Sequence, residues 1–285
     1  MQLIEFRHYF NIKLSKIYSS VEINSFFNIL ISNFFGWDAT FIALKPTYKL
    51  NITSLKKLER AISDLLVHKP IQYITNQHFF FRNSFFVNES VLIPRSETED
   101  LIHWILTDFS ENQITSKLNV LDIGTGSGCI AISLAEGNKN FKVSGIDISK
   151  KAISVAKKNA KKINVKVDFT CKKIEDLSDW DSSLDIIVSN PPYIHPNEKD
   201  EINPNVLNYE PHLALFTPFH DPIYYYKLIK KFSSSILKPG GTLYLEINPK
   251  FVKNIYSNFS DHTFKKIEFR NDIFGKLRML KAIKY

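Results

Sequence analysis

Two cysteines in 285 residues, Cys129 and Cys171, exclude a disulfide framework, and neither stands at a metal-ligand spacing. Both are expected to pack as small apolar side chains in a reducing compartment. No apolar run approaches the length of about 20 residues that spans a bilayer. The opening MQLIEFRHYF carries Glu5, Arg7 and His8 where a signal peptide would be apolar. These absences predict a cytoplasmic protein with no membrane partner. The eight histidines form no His-x-His or His-Glu-x-x-His spacing, so no metal is expected. No Ser/His/Asp or Cys/His grouping offers a nucleophile. Internal repeats and low-complexity tracts are missing too.

What is present is ordinary for a soluble globular chain: 44% hydrophobic and 23% charged residues. Lys and Arg number 37 against 29 Asp and Glu, a net charge of +8, which suits a protein meeting nucleic acid or a ribosome-associated partner but says nothing about a site. The length allows one large domain and a small one.

Residues 1–69 read as helical. Apolar side chains recur at three- and four-residue spacing through Phe26, Phe27, Ile29, Leu30 and Ile31, and again through Leu55, Leu58, Ile62, Leu65 and Leu66. Gly36 and Pro46 punctuate the segment, and Thr53 or Ser54 is a candidate helix cap. Residues 70–90 read as a linking β-hairpin, alternating and rich in Phe and Tyr, with Arg82-Asn83-Ser84 as its turn. Phe79, Phe80, Phe81, Phe85 and Phe86 are expected in the core. Ser96 with Glu99 predicts a capping box ahead of the apolar run from Leu101.

Residues 91–285 form the third region. From Leu118 onward strands alternate with helices, the pattern of a doubly wound parallel sheet. Strands are predicted at 119–123, 142–146, 166–170, Leu184–Ser189 and 242–247. Helices fall at 130–135, 151–162 (capped by Ser149), Tyr224–Ile236 and 251–259. A turn at 238–241 precedes the fifth strand, and an antiparallel pair at 264–269 and 278–283 closes the chain.

Three short stretches carry chemistry. Asp122-Ile123-Gly124-Thr125-Gly126-Ser127-Gly128 leaves a strand through a bare loop, against which a ligand can lie directly. The dinucleotide fingerprint wants its third glycine where Cys129 stands, and no Gly-Lys-Ser/Thr follows, so neither a pyrophosphate site nor a phosphate loop is expected. A tight strand-to-helix turn is the plainer alternative. Asp147 ends the second strand, where a carboxylate accepts from both ribose hydroxyls or simply caps a helix. The third stretch is Ser189-Asn190-Pro191-Pro192-Tyr193. Two prolines forbid helix and leave the fourth strand in a stiff extended turn, at the strand end where α/β sheets keep their ligands. The Asn190 side-chain oxygen and the Pro191 carbonyl are two acceptors that one NH2 group satisfies.

The glycine loop resembles the S-adenosylmethionine loop of class I methyltransferases. Loop, acidic residue and Asn-Pro-Pro-Tyr in this order resemble the amino-methyltransferases of that class, which include adenine-N6 and protein-glutamine-N5 enzymes. Further stretches are similar to the HemK/PrmC family: Pro70-Ile71-Gln72-Tyr73-Ile74, Val91-Leu92-Ile93-Pro94-Arg95 with Glu97-Thr98-Glu99, Glu210-Pro211 with Ala214-Leu215-Phe216, Leu237-Lys238-Pro239-Gly240-Gly241, and Gly275 with Arg278. Ser96 stands where that family usually has Pro. Thr217-Pro218-Phe219-His220-Asp221-Pro222 stands where it has a glycine pair and Asp-Gly.

The resemblance implies a Rossmann-like S-adenosylmethionine-dependent methyltransferase sheet with a small N-terminal helical domain that docks the substrate. The substrate it implies is the glutamine of the Gly-Gly-Gln motif in class 1 peptide chain release factors, with no metal and no direct nucleic-acid binding, and a monomeric enzyme. Cofactor contacts are expected from Gly124, Thr125, Gly126, Ser127, Gly128, Asp147 and Asn190, with Glu175 or Asp176 beside the adenine. Asn190, Pro191, Pro192 and Tyr193 are expected to hold the glutamine, with Asn190, Pro191 and Tyr193 catalytic and the Tyr193 ring over the glutamine side chain. The alternative substrate is adenine N6 in DNA or RNA, which the positive charge suits. That reading requires a target-recognition insert or base-stacking platform, for which the chain has little spare length. A binding protein without turnover is a third reading.

Overall fold

The computed structural model describes residues 1–110, 116–177, 180 and 183–285. The chain forms two compact units, one comprising Met1–Gln77 with Asn203–Tyr209, the other His78–Ile202 with Glu210–Tyr285. The backbone therefore passes from one unit to the other at three points.

The first unit is helical: α1 (Leu3–Leu14), α2 (Ser20–Phe35), α3 (Ala39–Leu44), α4 (Ile52–Leu66) and α5 (Ile71–Thr75). Leu3, Phe6, Phe10 and Leu14 fall on one face of α1 and are buried against Ile23, Phe27, Leu30 and Ile31 of α2 and Leu58, Ile62 and Leu65 of α4. Ser19 and Glu22 close a capping box on α2, and Gly36, at φ 72°, ends that helix in the left-handed region. The cap of α4 is Asn51, whose Oδ1 accepts from Ser54 N–H at 2.8 Å, and not Thr53 or Ser54. Residues 203–209 return to this unit, where the Tyr209 hydroxyl donates to the Val67 carbonyl at 2.8 Å.

The predicted hairpin is shorter than expected. Residues 71–75 are helical, and the strands are β1 (Gln77–Phe80) and β2 (Asn83–Phe86), so Asn83 and Ser84 pair and the turn falls on Phe81 and Arg82. Phe80 and Phe85 are core residues as expected, whereas Phe79 is 67% exposed. The helix α6 (Ser96–Asp108) begins at Ser96 without the expected capping box. The Ser96 hydroxyl donates to Glu97, and Glu99 Oε1 instead accepts from Phe81 N–H at 2.9 Å.

The remaining elements are β3 (Leu118–Ile123), α7 (Cys129–Gly137), β4 (Phe141–Asp147), α8 (Lys150–Ile163), β5 (Asp168–Cys171), β6 (Leu184–Ser189), α9 (Pro204–Leu207, in the first unit), α10 (His212–Leu215), α11 (Tyr224–Ile236), β7 (Leu237–Glu246), α12 (Val252–Phe259), β8 (Phe264–Asn271) and β9 (Leu277–Lys284). The sheet runs β5-β4-β3-β6-β7-β9-β8, its first five strands parallel and β9 antiparallel to both neighbours. The 238–241 stretch, expected as a turn, lies inside β7, where the register against β6 shifts between Leu184 and Ile186.

Alternate residues of the central strands feed two apolar layers. Val120, Ile186 and Tyr244 face α6, α7 and α8, while Leu121, Ile187 and Leu243 face α11 and α12. Cys129 is buried as expected, and burial pushes its thiol up to about 12. Cys171, expected inside, is exposed on the outermost parallel strand.

Candidate active site

Strand register builds the site. Ile123 of β3 stands level with Ile146 of β4 and with Ser189 of β6. The next residue on each strand is Gly124, Asp147 and Asn190, so the three stretches singled out by sequence emerge side by side at the carboxyl edge of the sheet. The strand order reverses between β3 and β6, the position where doubly wound sheets open a crevice. An open cleft of about 1030 Å³, counting its mouth, occupies this edge and is lined by Gly124, Gly126, Asp147, Glu175, Asn190, Pro191 and Pro192. The Ser189 hydroxyl donates to the Ile123 carbonyl at 2.6 Å and stitches the two central strands together just below it.

The glycine loop needs its glycines. Gly124, Gly126 and Gly128 all have positive φ (74°, 54° and 82°), a region L side chains rarely enter. A Cβ on Gly124 would meet nothing within 4 Å, so the backbone there is bare toward the cleft. A Cβ on Gly128 would press on Ala156, Ile132 and Phe169 at 3.1 Å, so this glycine serves packing of α7.

The remaining predicted loop contacts point inward. The Thr125 hydroxyl donates to Asp122 Oδ2 at 2.6 Å. Ser127 is buried, and its carbonyl accepts from Asn159 Nδ2 at 2.9 Å. Asn159, on α8, also donates to the Phe86 carbonyl and accepts from Phe86 N–H, tying the hairpin to the loop. Its place in a lysine-rich helix carries no sequence signal for this role.

Both oxygens of Asp147 are anchored, Oδ2 accepting from Gly126 N–H at 2.9 Å and Oδ1 from Ser149 N–H at 2.8 Å. Each keeps a further lone pair. Burial raises its pKa, partly offset by those two amides. Glu175 lines the cleft with its Oε1 near the Tyr224 hydroxyl at 3.4 Å, whereas Asp176 stays outside the lining. Ile146, Ile148, Ile174, Ala152 and Tyr225 give the cleft an apolar flank beside these acids. Sequence reasoning passed over them. An apolar Ile148 directly after the strand-ending Asp147 was the available signal.

Tyr193, expected over the glutamine side chain, is not part of the cleft lining. Its hydroxyl donates to Glu246 Oε1 at 3.1 Å, its ring packs against the second apolar layer, and the Arg278 guanidinium stands 6.0 Å from the ring centre. Behind Asn190 lies a chain of polar contacts: Asn190 Nδ2 to Thr98 Oγ1 at 3.2 Å, and Thr98 Oγ1 to Glu246 Oε2 at 2.6 Å. Arg95 and Glu210, named in the sequence only within family-like stretches and given no site role there, pair at 2.7 Å, and Glu210 Oε2 accepts from Ile93 N–H at 3.1 Å. That pair, buried at Glu210 and partly exposed at Arg95, clamps the cleft edge carrying Val91 and Leu92 to the edge carrying Pro211, Leu213 and Ala214. The Thr217–Pro222 loop has Phe219 and His220 at positive φ (57° and 53°), a conformation glycine would adopt without strain.

Burial raises Asp122 from the ordinary 3.8 to about 7, against the hydrogen bond from Thr125 that lowers it. The folded protein thus binds this proton more tightly than the unfolded chain. The resulting stabilisation is complete below about pH 4 and is lost as pH rises through about 7. Each tenfold difference in proton affinity is worth about 1.4 kcal/mol. Urea unfolding between pH 5 and 8 should therefore fall less steeply for Asp122→Asn than for wild type. Equal slopes would show that Asp122 titrates normally.

A doubly wound sheet of this order, with a bare glycine loop, an acidic strand end and an Asn-Pro-Pro turn along one edge, makes the chain a Rossmann-like methyltransferase. A family model described as a methyltransferase domain matches residues 114–246. A solved T. thermophilus 16S rRNA methyltransferase in complex with AdoMet and guanosine shares the fold, with a TM-score of 0.52 and 16% identity over 73% of this chain and 50% of that one. The sequence is 41% identical over 282 residues to the release factor glutamine methyltransferase of Flavobacterium psychrophilum, spanning 99% of each chain. It is 38% identical to that of Bacteroides thetaiotaomicron, over 96% of this chain and 97% of the relative. The chain belongs to the release factor glutamine methyltransferase family.

Proposed function

We propose that this chain transfers the methyl group of S-adenosylmethionine to the side-chain amide nitrogen of the glutamine in the Gly-Gly-Gln motif of class 1 peptide chain release factors. The observation that carries the reading is the level emergence of Gly124, Asp147 and Asn190 from adjacent strands into one cleft. The cleft suits a nucleoside: bare backbone at Gly124, an anchored carboxylate at Asp147 with lone pairs to spare for a ribose, and an apolar flank for a flat heterocycle. The neighbour holding AdoMet in the same fold supports that choice. Bound there, S-adenosylmethionine supplies an electrophilic methyl group.

An amide nitrogen is a poor nucleophile because its lone pair is delocalised. Asn190 Oδ1 and the Pro191 carbonyl accept its two hydrogens, aim the nitrogen at the methyl, and favour the more pyramidal, positively charged transition state. Pro191 and Pro192 keep the turn stiff, so the acceptors are in place before substrate arrives. Near-attack orientation of this kind supplies as much as roughly 7–11 kcal/mol in favourable cases. No base is needed before transfer, since the proton leaves afterwards. Tyr193 contributes by bracing the turn from behind through Glu246.

The names of the relatives favour the glutamine over an adenine as acceptor. Residues 1–69 would dock the release factor, residues 70–90 link it to the catalytic region at 91–285, and the enzyme would act as a monomer in the cytoplasm. Among the described residues no helix is long and apolar enough to cross a membrane.

Radiolabelled S-adenosylmethionine, offered with a class 1 release factor, its Gln-to-Ala motif variant, and adenine-containing DNA and RNA, tests the reading. Label is expected on the wild-type factor alone. Label on nucleic acid would transfer the function to the adenine-N6 class, and no label at all would leave a binding protein.

A further inference from the structure

We infer that Thr98 and Glu246 are positioning residues that dictate which end of the Asn190 amide faces the cleft. The inference rests on the reading of Asn190 as an acceptor for the substrate amide. An asparagine side chain is nearly symmetrical in shape, yet its two ends are opposites in chemistry. With oxygen toward the cleft it accepts from the glutamine NH2. Turned over, it presents a donor to a donor, and both the attraction and the orientation are lost.

The hydrogen-bond chain behind Asn190 removes that ambiguity by counting protons, without needing oxygen told apart from nitrogen by shape. Glu246, at the end of β7 and 1% exposed, accepts at both oxygens and donates from neither when ionised. Its Oε1 takes the Tyr193 proton, and its Oε2 lies 2.6 Å from Thr98 Oγ1. Thr98, on α6 and 2% exposed, has one hydroxyl proton, and that proton goes to the carboxylate. The Thr98 oxygen is left with lone pairs alone on the Asn190 side, so the group it meets at 3.2 Å must be a donor, the Asn190 NH2. Asn190 Oδ1 is thereby committed to the cleft. Every bond in the chain runs one way, toward the carboxylate, and the same carboxylate holds Tyr193 three residues along the turn. Burial raises the pKa of Glu246, and the hydrogen bonds from Thr98 and Tyr193, with the Arg278 guanidinium beside the Tyr193 ring, oppose that rise in favour of the ionised form.

Thr98→Val keeps the shape and deletes the hydroxyl. It should lower kcat roughly 10- to 100-fold, the range typical for outer-shell partners, with KM for release factor and for S-adenosylmethionine within about threefold of wild type. Thr98→Ser, which keeps the hydroxyl, should recover most of the loss. Because the effect passes through Asn190, adding Thr98→Val to Asn190→Ala should change single-turnover rate by less than about twofold.

A kcat for Thr98→Val near that of wild type, or losses that multiply in the double variant, would overturn the inference while Asn190→Ala still reports the acceptor role. An Asn190→Ala variant with full activity would instead overturn the function reading itself. Should Thr98→Val fail to fold, Thr98→Ala replaces it. The wild-type Asn190 side-chain NH2 resonance, identified by its loss in Asn190→Ala, must also show slowed exchange with solvent. Exchange at the rate of a free amide would contradict the bond to Thr98.

Discussion

Asn190→Ala should lower kcat roughly 10²- to 10³-fold, the loss typical when one preorganised polar group of this kind is removed, with the affinity for S-adenosylmethionine nearly unchanged. The alanine cannot accept from the glutamine NH2, so one of two bonds that strengthen as the nitrogen becomes pyramidal disappears. The Pro191 carbonyl remains, because the backbone of the turn is held by its own prolines and by the Ser189 bond to Ile123. Binding of the release factor over its wider surface also remains, which places the loss in kcat and not in KM. Single-turnover transfer of labelled methyl measures it directly. A folded variant with unchanged kcat would remove Asn190 from the mechanism.

Asp147→Ala should act on the other side of the cleft, weakening S-adenosylmethionine binding on the order of 10²-fold. Hydrogen bonds to an ionised carboxylate are worth about 1.5–3 kcal/mol each, and two ribose hydroxyls would share this one. The carboxylate has a second duty. It accepts from Gly126 and Ser149, so its loss also removes one tie between the glycine loop and β4, while the Gly124 and Thr125 amides still donate to the Ile146 carbonyl. Titration calorimetry with S-adenosylmethionine would report the affinity. Turnover at saturating cosubstrate should fall far less than affinity does. Wild-type affinity in this variant would leave Asp147 a mere helix cap.

The parts of the site that sequence reveals are those built from contiguous residues at strand ends. Alternation of strand and helix places the ends of β3, β4 and β6 at one edge, and Gly124, Asp147 and Asn190 follow from that topology alone. The N-terminal helices are equally legible from spacing, although the α4 cap is read two or three residues late because Asn51, Thr53 and Ser54 are all competent caps. Contacts between distant residues are not legible. Thr98 falls between the two members of the expected Ser96–Glu99 capping box, and nothing local reveals that its hydroxyl meets Glu246. Glu99 matches the box pattern, yet the Phe81 amide of the hairpin claims it. Tyr193 follows two cleft prolines in sequence, but the turn reverses its ring toward the core. Asp176 and Glu175 are equivalent as letters, and only the short 3-10 turn at 174–176 decides that one lines the cleft and the other does not.

The excursion of residues 203–209 into the helical unit has a consequence for how separable the two halves are. A unit joined by one linker can be lost, exchanged or expressed alone by a single cut. This chain crosses between its units at 77–78, 202–203 and 209–210. Cutting at the first crossing would leave the sheet-bearing piece trailing a segment whose Tyr209 hydroxyl has lost the Val67 carbonyl, with Glu210 of the cleft clamp following immediately. No single cut in the backbone therefore separates the two units, and a truncation meant to isolate one of them must remove residues 203–209 as well.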